Sequence, residues 1–194
     1  MKEILGITGT VFLMAGYAPY LFALWNRQAR PHAFSWLLWG FINAIVFAVQ
    51  VSQQAGPGAW TVGVAALFNL GIGLYAIKGG ERNITKSDWA VFLTVLMAIP
   101  LWALTKDPVW AVILVSVIDT LAFFPTLRKS WHRPHEEVAA TFAFGIVGFL
   151  FALAALESYT FTNVCYPVKV LITNSLFISS LLYRRKVLAV ACPA

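Results

Sequence analysis

Four polar residues occupy the middle of long apolar segments, where water cannot hydrate them. They are Asn43, Asn69, Asp119 and Asn174. Each lies about ten or eleven residues from one end of its segment, and a helical rise of about 1.5 Å per residue then predicts that all four lie at a similar depth. Polar groups inside hydrocarbon need partners within the protein, so each of the four is a candidate for binding a ligand.

Two of these residues, Asn69 and Asn174, end the similar sequences ALFN and LITN. An amide both donates and accepts hydrogen bonds, so it suits a solute that carries hydroxyl, amide or amine groups. We expect the two side chains to face each other and to bind such a solute. The alternative is a hydrogen bond between helices without any ligand, which is worth roughly 0.6 kcal/mol in membrane proteins.

Asp119 is the acidic residue with the strongest claim to a function, because an ionised carboxylate is costly in the centre of an apolar helix. The cost is about 2.5–3.5 kcal/mol on insertion scales. One hypothesis is that Asp119 binds a cationic part of a solute or carries a coupling proton. The alternative is an ion pair with Lys169, which lies about two helical turns into the last apolar segment. Both remain open from the sequence, and Lys169 is counted among the candidate solute-binding residues.

The composition indicates an all-α integral membrane protein. Of 194 residues, 60% are apolar and 11% are charged, and the mean hydropathy is +0.76, whereas soluble domains average roughly 25% charged residues. A membrane span needs about 17–25 apolar residues. Seven segments approach or meet this length: 4–25, 33–51, 59–77, 89–105, 109–127, 138–156 and 163–183. Pro100 interrupts the fourth, and no loop is long enough for a separate soluble domain.

The basic residues predict the orientation of these spans. Eleven Lys and Arg follow the first, third, fifth and seventh segments, whereas only Lys2 and Lys106 lie on the other side. The positive-inside rule then places the N-terminus outside and the C-terminus in the cytoplasm. We therefore expect a multi-pass protein of the cell membrane, which is the inner membrane if the source is bacterial.

An internal repeat explains the odd number of spans. Pro19, Leu21 and Trp25 match Pro125, Leu127 and Trp131 at an offset of 106, and Asn69 matches Asn174 at an offset of 105. A unit of three spans begins and ends on opposite sides of the membrane, so one additional span is needed to keep two copies parallel. The fourth segment would supply that span. Chance similarity is the alternative, because helices rich in Leu, Ala and Phe align easily.

The repeat predicts a division of the chain into four parts. Residues 1–78 form the first three-helix repeat, and 79–107 contain the linker helix with its flanking loops. Residues 108–186 form the second three-helix repeat, and 187–194 form a cytoplasmic tail. The expected architecture is therefore two parallel three-helix bundles joined by one linker helix.

The segment MAGYAPYLFALWNRQARPHAFSWLLWG and its echo TLAFFPTLRKSWHRPHEEVAATFAFG resemble the PQ-loop and SWEET superfamily, and most of all its bacterial PQ-loop-like members. The resemblance covers essentially the whole chain and implies the same plan of three, one and three spans with the N-terminus outside. It also implies that Asn69 and Asn174 are pocket residues. The chain departs from the family where Pro19-Tyr20 and Pro125-Thr126 replace the Pro-Gln pairs.

A second feature, the pattern W-x2-W-x3-N formed by Trp36, Trp39 and Asn43, resembles the nicotinamide riboside carriers of the same fold. This resemblance adds the two tryptophans to the predicted solute site. Pro19 and Pro125 lie about two turns before the inner ends of their helices, where a proline removes a backbone hydrogen bond and kinks the helix. We predict that they act as a hinge or gate, and a static kink is the alternative.

The function that these features favour is transport of a small polar solute, such as a sugar, amine, amino acid or vitamin-like molecule, by alternating access to a pocket at mid-membrane. A receptor or assembly factor without transport activity is the alternative, because a fold does not determine a function. The expected partners are the lipid bilayer and the solute, with proton or cation coupling through Asp119. We expect no enzymatic activity, cofactor, metal site or nucleic-acid partner, and an oligomer could form.

Overall fold

The computed structural model describes residues 1–81, 85–86, 89–90, 93 and 107–191, with the side chains of 189–191 excluded. Every regular element within these residues is helical, and no strand occurs among them. The predicted fourth span, 89–105 with Pro100, lies almost entirely outside the described residues, as does Lys106. The all-α prediction is confirmed for the part of the chain that is described.

Six α-helices form the described structure, and their bounds follow the predicted apolar segments closely. They are α1 Lys2–Trp25, α2 Ala33–Ser52, α3 Trp60–Gly79, α4 Pro108–His132, α5 Ala139–Ala155 and α6 Phe161–Ala191. Five of them are long and apolar enough to cross a membrane, and α5 is a shorter apolar helix of 17 residues. The structure therefore supports a membrane protein with five to six such helices, and the seven-span arrangement stays a prediction.

The helix ends follow from local sequence. Asp107 precedes α4, and its side chain accepts a hydrogen bond of 2.9 Å from the backbone N–H of Val109, while Pro108 occupies the first helical position. Both features are typical of helix starts. Arg27, just after α1, adopts a positive φ of 57°. This left-handed residue turns the chain toward α2.

Helices α1, α3, α4 and α6 run in one direction and α2 and α5 in the other, so the bundle has two faces. The N-terminal face is formed by the ends at Lys2, Ser52, Trp60, Pro108, Ala155 and Phe161. The basic face is formed by the ends at Trp25, Ala33, Gly79, His132 and Ala139 and by the adjoining loops. Contacts such as Lys2 to Ala154 at one face and Arg184 to Trp131 at the other join helix ends on the same face.

The helices pack side by side in a ring. The main neighbours follow the order α1–α3–α2–α4–α6–α5 and back to α1. Two seams, α1–α5 and α2–α4, join the half made of α1, α2 and α3 to the half made of α4, α5 and α6. If α1, α2 and α3 are exchanged with α4, α5 and α6, respectively, the order of neighbours around the ring stays the same.

The two seams are built differently. At the α1–α5 seam the backbones touch, because a Cβ added at Gly9 would lie 2.8 Å from the carbonyl oxygen of Gly148. Small residues allow helices to approach closely in apolar bundles. At the α2–α4 seam the rings of Trp39 and Phe123 lie between the helices, with ring centroids 4.6 Å apart. One seam is therefore closed by glycine backbone and the other by large side chains.

We expect Gly148→Ala to destabilise the protein, because the added methyl group would lie 2.9 Å from the carbonyl oxygen of Gly9 and force the helices apart. Overpacking of this kind costs about 1–3 kcal/mol. The measurement is the melting temperature of the purified protein in detergent. Gly71→Ala is the matched control, because nothing lies within 4 Å of its added Cβ. A melting temperature of Gly148→Ala equal to that of Gly71→Ala would contradict the close α1–α5 contact.

Candidate functional site

A central cavity lies inside the ring of helices, between the two faces. All six helices contribute to its wall, and its volume is about 70 Å³. Sites for drug-sized ligands occupy about 300–1,000 Å³. The central cavity is therefore smaller than a typical site for a drug-sized ligand.

The structure brings the predicted solute residues together at this cavity. Six of the seven line its wall: Trp36, Trp39, Asn43, Asn69, Asp119 and Asn174. The seventh, Lys169, lies next to the wall and forms an ion pair with Asp119. Their common location agrees with the depth estimated from the helical rise, and their role in solute binding stays a prediction.

The two asparagines are held by different neighbours. Asn69 Oδ1 accepts a hydrogen bond of 2.6 Å from the hydroxyl of Tyr17, a cavity residue that the sequence analysis did not select. Asn174 has room because residue 145 is glycine, where a Cβ would lie 3.2 Å from Asn174 Nδ2. Both amides belong to one cavity, and no hydrogen bond joins them. The carbonyl of Asn69 is engaged, whereas the amide of Asn174 is available to a ligand.

Asp119 is the centre of a buried polar network. Its Oδ1 accepts a hydrogen bond of 2.9 Å from Tyr166, and its Oδ2 pairs with the ammonium of Lys169. The Tyr166 hydroxyl also lies 3.3 Å from Asn43 Oδ1, and Asn43 Nδ2 donates a 2.6 Å bond to the carbonyl of Trp39. Because a hydroxyl has one proton, its shorter contact with the charged acceptor is the stronger bond. Both oxygens of the carboxylate are thus satisfied by side chains of α6.

The ammonium of Lys169 also contacts two aromatic rings of the cavity wall. Its Nζ lies 5.4 Å from the ring centroid of Tyr166 and 5.8 Å from that of Phe123. Cations are attracted to aromatic faces within about 6 Å of the centroid. The place beside Asp119 is therefore a cation site in which one carboxylate and two ring faces surround an ammonium group.

The packing of the helices does not require this charged pair. At the repeat offsets of 106 and 105, Leu13 and Val64 occupy the positions that correspond to Asp119 and Lys169. Replacing a buried ion pair by apolar residues is often neutral or stabilising, whereas removing one partner alone costs about 3–5 kcal/mol. A purely structural role would thus be filled as well by Leu and Val.

We expect Asp119→Leu and Lys169→Val to destabilise the protein strongly as single changes, by about 3–5 kcal/mol each, because each leaves a buried charge without its partner. The double variant should regain most of this loss. The measurement is a double-mutant cycle from unfolding of the purified protein. Single effects that simply add in the double variant would show that the two charges are not coupled.

Some polar groups of the cavity wall have no partner. The indole Nε1 of Trp39 and the hydroxyl of Thr141 make no hydrogen bond with the described residues. Both side chains line the cavity, and the exposed fraction of Trp39 is 5%. An indole N–H can only donate. The oxygens of Asp119 and the carbonyl of Asn69 already accept hydrogen bonds or pair with a charge. The groups of the cavity wall that could still bind a solute are therefore mainly hydrogen-bond donors.

The N-terminal face is closed by hydrogen bonds between the two halves. Gln50 Nε2 of α2 donates a 3.1 Å bond to the carbonyl oxygen of Asn163 in α6. Asn163 Nδ2 in turn donates a 3.3 Å bond to the carbonyl of Gln53. The carbonyl of Asn163 is free for Gln50 because Pro167, four residues later, has no N–H to donate. The sequence gives no direct signal for this contact, since its partners are more than a hundred residues apart.

The basic face is closed by charged contacts. Lys129 of α4 is 5% exposed, and its ammonium contacts both Glu137 and the carbonyl oxygen of Arg30 in the other half. Glu137, 1% exposed, accepts a 3.3 Å hydrogen bond from Tyr20 of α1. Burial raises the pKa of the Glu137 carboxyl above its usual value, and the nearby Lys129 opposes that shift. The sequence analysis treated Lys129 only as a topology signal and did not select Glu137.

The predicted hinge prolines lie within continuous helices close to these closures. Pro19 precedes Tyr20 in α1, and Pro125 lies one turn before Lys129 in α4. Their positions place each proline next to a residue that closes the basic face. The role of the two prolines as a hinge or gate stays a prediction.

Comparisons of the chain with protein-family models, with curated proteins and with solved structures found no match. The PQ-loop and SWEET resemblance therefore stays an expectation based on the motifs. Among the described residues, no three His, Cys, Asp or Glu side chains are grouped in a way that could hold a metal ion.

Proposed function

We propose that this chain is a small solute transporter of a cell membrane, with seven spans arranged as two parallel three-helix bundles and a linker helix. The order of neighbours in the ring supports this arrangement, because it is unchanged when the two halves are exchanged. The distribution of Lys and Arg supports an outer N-terminal face and a cytoplasmic basic face. Membership of the PQ-loop and SWEET superfamily is part of this proposal.

The observation that carries the transport function is the central cavity, which lies between the two halves and has polar contacts between the halves toward both faces. A receptor needs a binding surface on one side only. A transporter needs a site that both sides can reach in turn, and the closures must then open one at a time. Hydrogen bonds suit this task, since each contributes only about 1 kcal/mol and can be exchanged for water.

Each group has a place in the proposed cycle. Gln50 and Asn163 close the outer side, and Lys129, Glu137 and Tyr20 close the cytoplasmic side. Rocking of one half against the other would separate one set of contacts while the other set stays intact. Pro19 and Pro125 are placed to bend α1 and α4 next to the cytoplasmic closure. The solute would meet the free donors of the cavity and the network around Asp119.

We expect Asn174→Ala to reduce solute uptake by at least about tenfold, because it removes an available amide from the cavity wall, where a hydrogen bond worth 1.4 kcal/mol corresponds to a factor of ten. The measurement is uptake into proteoliposomes, screened over sugars, amines, amino acids and vitamins. Asn26→Ala is the matched control, because it removes an exposed amide outside the cavity. No uptake of any solute by the wild-type protein, with tight capture of a protein partner, would instead favour a receptor.

Removing one closure should expose the cavity to one side only. Tyr20→Phe removes a hydrogen bond of the basic face, and Gln50→Leu removes one of the N-terminal face. A loss of about 1 kcal/mol shifts a two-state equilibrium about fivefold. The measurement uses Ala65→Cys in the cavity wall, with Cys165 and Cys192 replaced by Ser, and a membrane-impermeant thiol reagent.

In oriented vesicles, Tyr20→Phe should accelerate labelling of the Ala65→Cys thiol from the cytoplasmic side, and Gln50→Leu from the outer side. The same protein without either change provides the reference rate. If both changes accelerate labelling from the same side, or neither does from any side, the two closures do not gate the cavity.

A further inference from the structure

The charged pair at the cavity wall restricts which charges a bound solute can carry. Asp119 lines the cavity, and Lys169 occupies the cation site that Asp119 forms with the rings of Phe123 and Tyr166. The ammonium of Lys169 is itself an amine held by a carboxylate and two aromatic faces. The surroundings of the Lys169 ammonium therefore suit an amine group.

A solute with a single charge cannot enter this pair without cost. An amine that replaced Lys169 at Asp119 would leave the lysine ammonium unpaired, and a carboxylate that paired with Lys169 would leave Asp119 unpaired. Removing one partner from a buried pair is strongly unfavourable. A solute that carries both charges avoids this cost, because its ammonium pairs with Asp119 while its acid group pairs with Lys169.

The free donors of the cavity favour the same class of solute. Trp39 Nε1 and the Thr141 hydroxyl are buried without a partner, and the Asn174 amide is also available. Groups that donate hydrogen bonds suit the oxygens of an acid group, which is a strong acceptor. The wall thus combines a site for an ammonium near Asp119 with several donors for an anionic oxygen.

We propose that the transported solute is a small zwitterion, with one ammonium and one acid group, that inserts between Asp119 and Lys169. The inference rests on the proposed transport function and specifies its solute. The cavity volume of about 70 Å³ favours a small solute. When the solute leaves, Asp119 and Lys169 pair with each other again, so the empty protein has no unpaired charge at this site.

The test compares small solutes that carry both charges, one charge or no charge. The full-length purified protein in detergent is titrated with glycine, β-alanine or 4-aminobutyrate, and with ethylamine, propionate and propionamide, while the melting temperature is recorded. A ligand that binds the folded state raises the melting temperature as its concentration increases. We expect a saturable rise with at least one zwitterion and, with the amine, the acid and the amide, apparent affinities at least about tenfold weaker.

The double variant Asp119→Leu with Lys169→Val supplies the second arm, because it carries the residues that the first repeat has at these positions and leaves no unpaired charge. In the double variant, the apparent affinity for the zwitterion should fall at least about tenfold, whereas in Asn26→Ala it should stay the same. A response to the zwitterion that is unchanged in the double variant would overturn the proposal. An equal response of the wild-type protein to the amine or the acid alone would also overturn it.

Uptake into proteoliposomes separates this proposal from the transport function itself. Uptake of neutral solutes only, with equal rates in the double variant, would overturn the zwitterion and leave transport standing. Saturable binding of a zwitterion without any uptake would support the site and contradict transport. Uptake of a zwitterion that the double variant has lost would support both.

Discussion

Every polar group inside this bundle has to find its partner within the protein, and this constraint decides which side chains meet. Lipid offers no hydrogen bonds, so an unpartnered buried polar group is expensive. Asp119 meets the requirement through Tyr166 and Lys169, and Asn69 meets it through Tyr17. These contacts join different helices, so satisfying the polar groups also fixes how the helices pack around the cavity. Several buried donors make no hydrogen bond with the described residues, and two of them, the indole N–H of Trp39 and the hydroxyl of Thr141, belong to residues of the cavity wall.

The same constraint explains why the faces close as they do. At each face a side chain from one half reaches an acceptor in the other half: Gln50 reaches Asn163, and Tyr20 reaches Glu137. The first acceptor is a carbonyl that Pro167 leaves without an intrahelical donor. The second is a carboxylate already paired with Lys129. In the proposed cycle, both acceptors keep a partner or gain access to water, so neither closure would leave a permanently unsatisfied group.

The sequence predicted the elements better than their contacts. Hydrophobic runs and the depth of four polar residues were enough to place Asn43, Asn69, Asp119 and Asn174 in one cavity, because helical rise converts sequence position directly into depth. The partners of these residues escaped prediction because each contact joins distant parts of the chain. Tyr17 and Tyr166 resemble the many other aromatic residues of the apolar segments. Only the packing of the helices shows that their hydroxyls bind buried polar groups.

The closures at the basic face were missed for a related physical reason. A lysine and a glutamate near helix ends normally remain hydrated, and the sequence offers no sign that Lys129 and Glu137 are buried. Their burial depends on the loop at Arg30, which comes from the other half. The order of helices around the ring is equally invisible to local patterns, since adjacency in an apolar bundle depends on small residues such as Gly9 and Gly148.

The two halves share one order of neighbours but not one set of charges, and the proposed solute site lies where they differ. A repeat duplicates what packing needs, and packing is satisfied by Leu13 and Val64 in the first half. The second half has Asp119 and Lys169 at those positions, at a desolvation cost that apolar residues would avoid. The pair also adjoins the α2–α4 seam, where aromatic side chains rather than glycine backbone separate the halves.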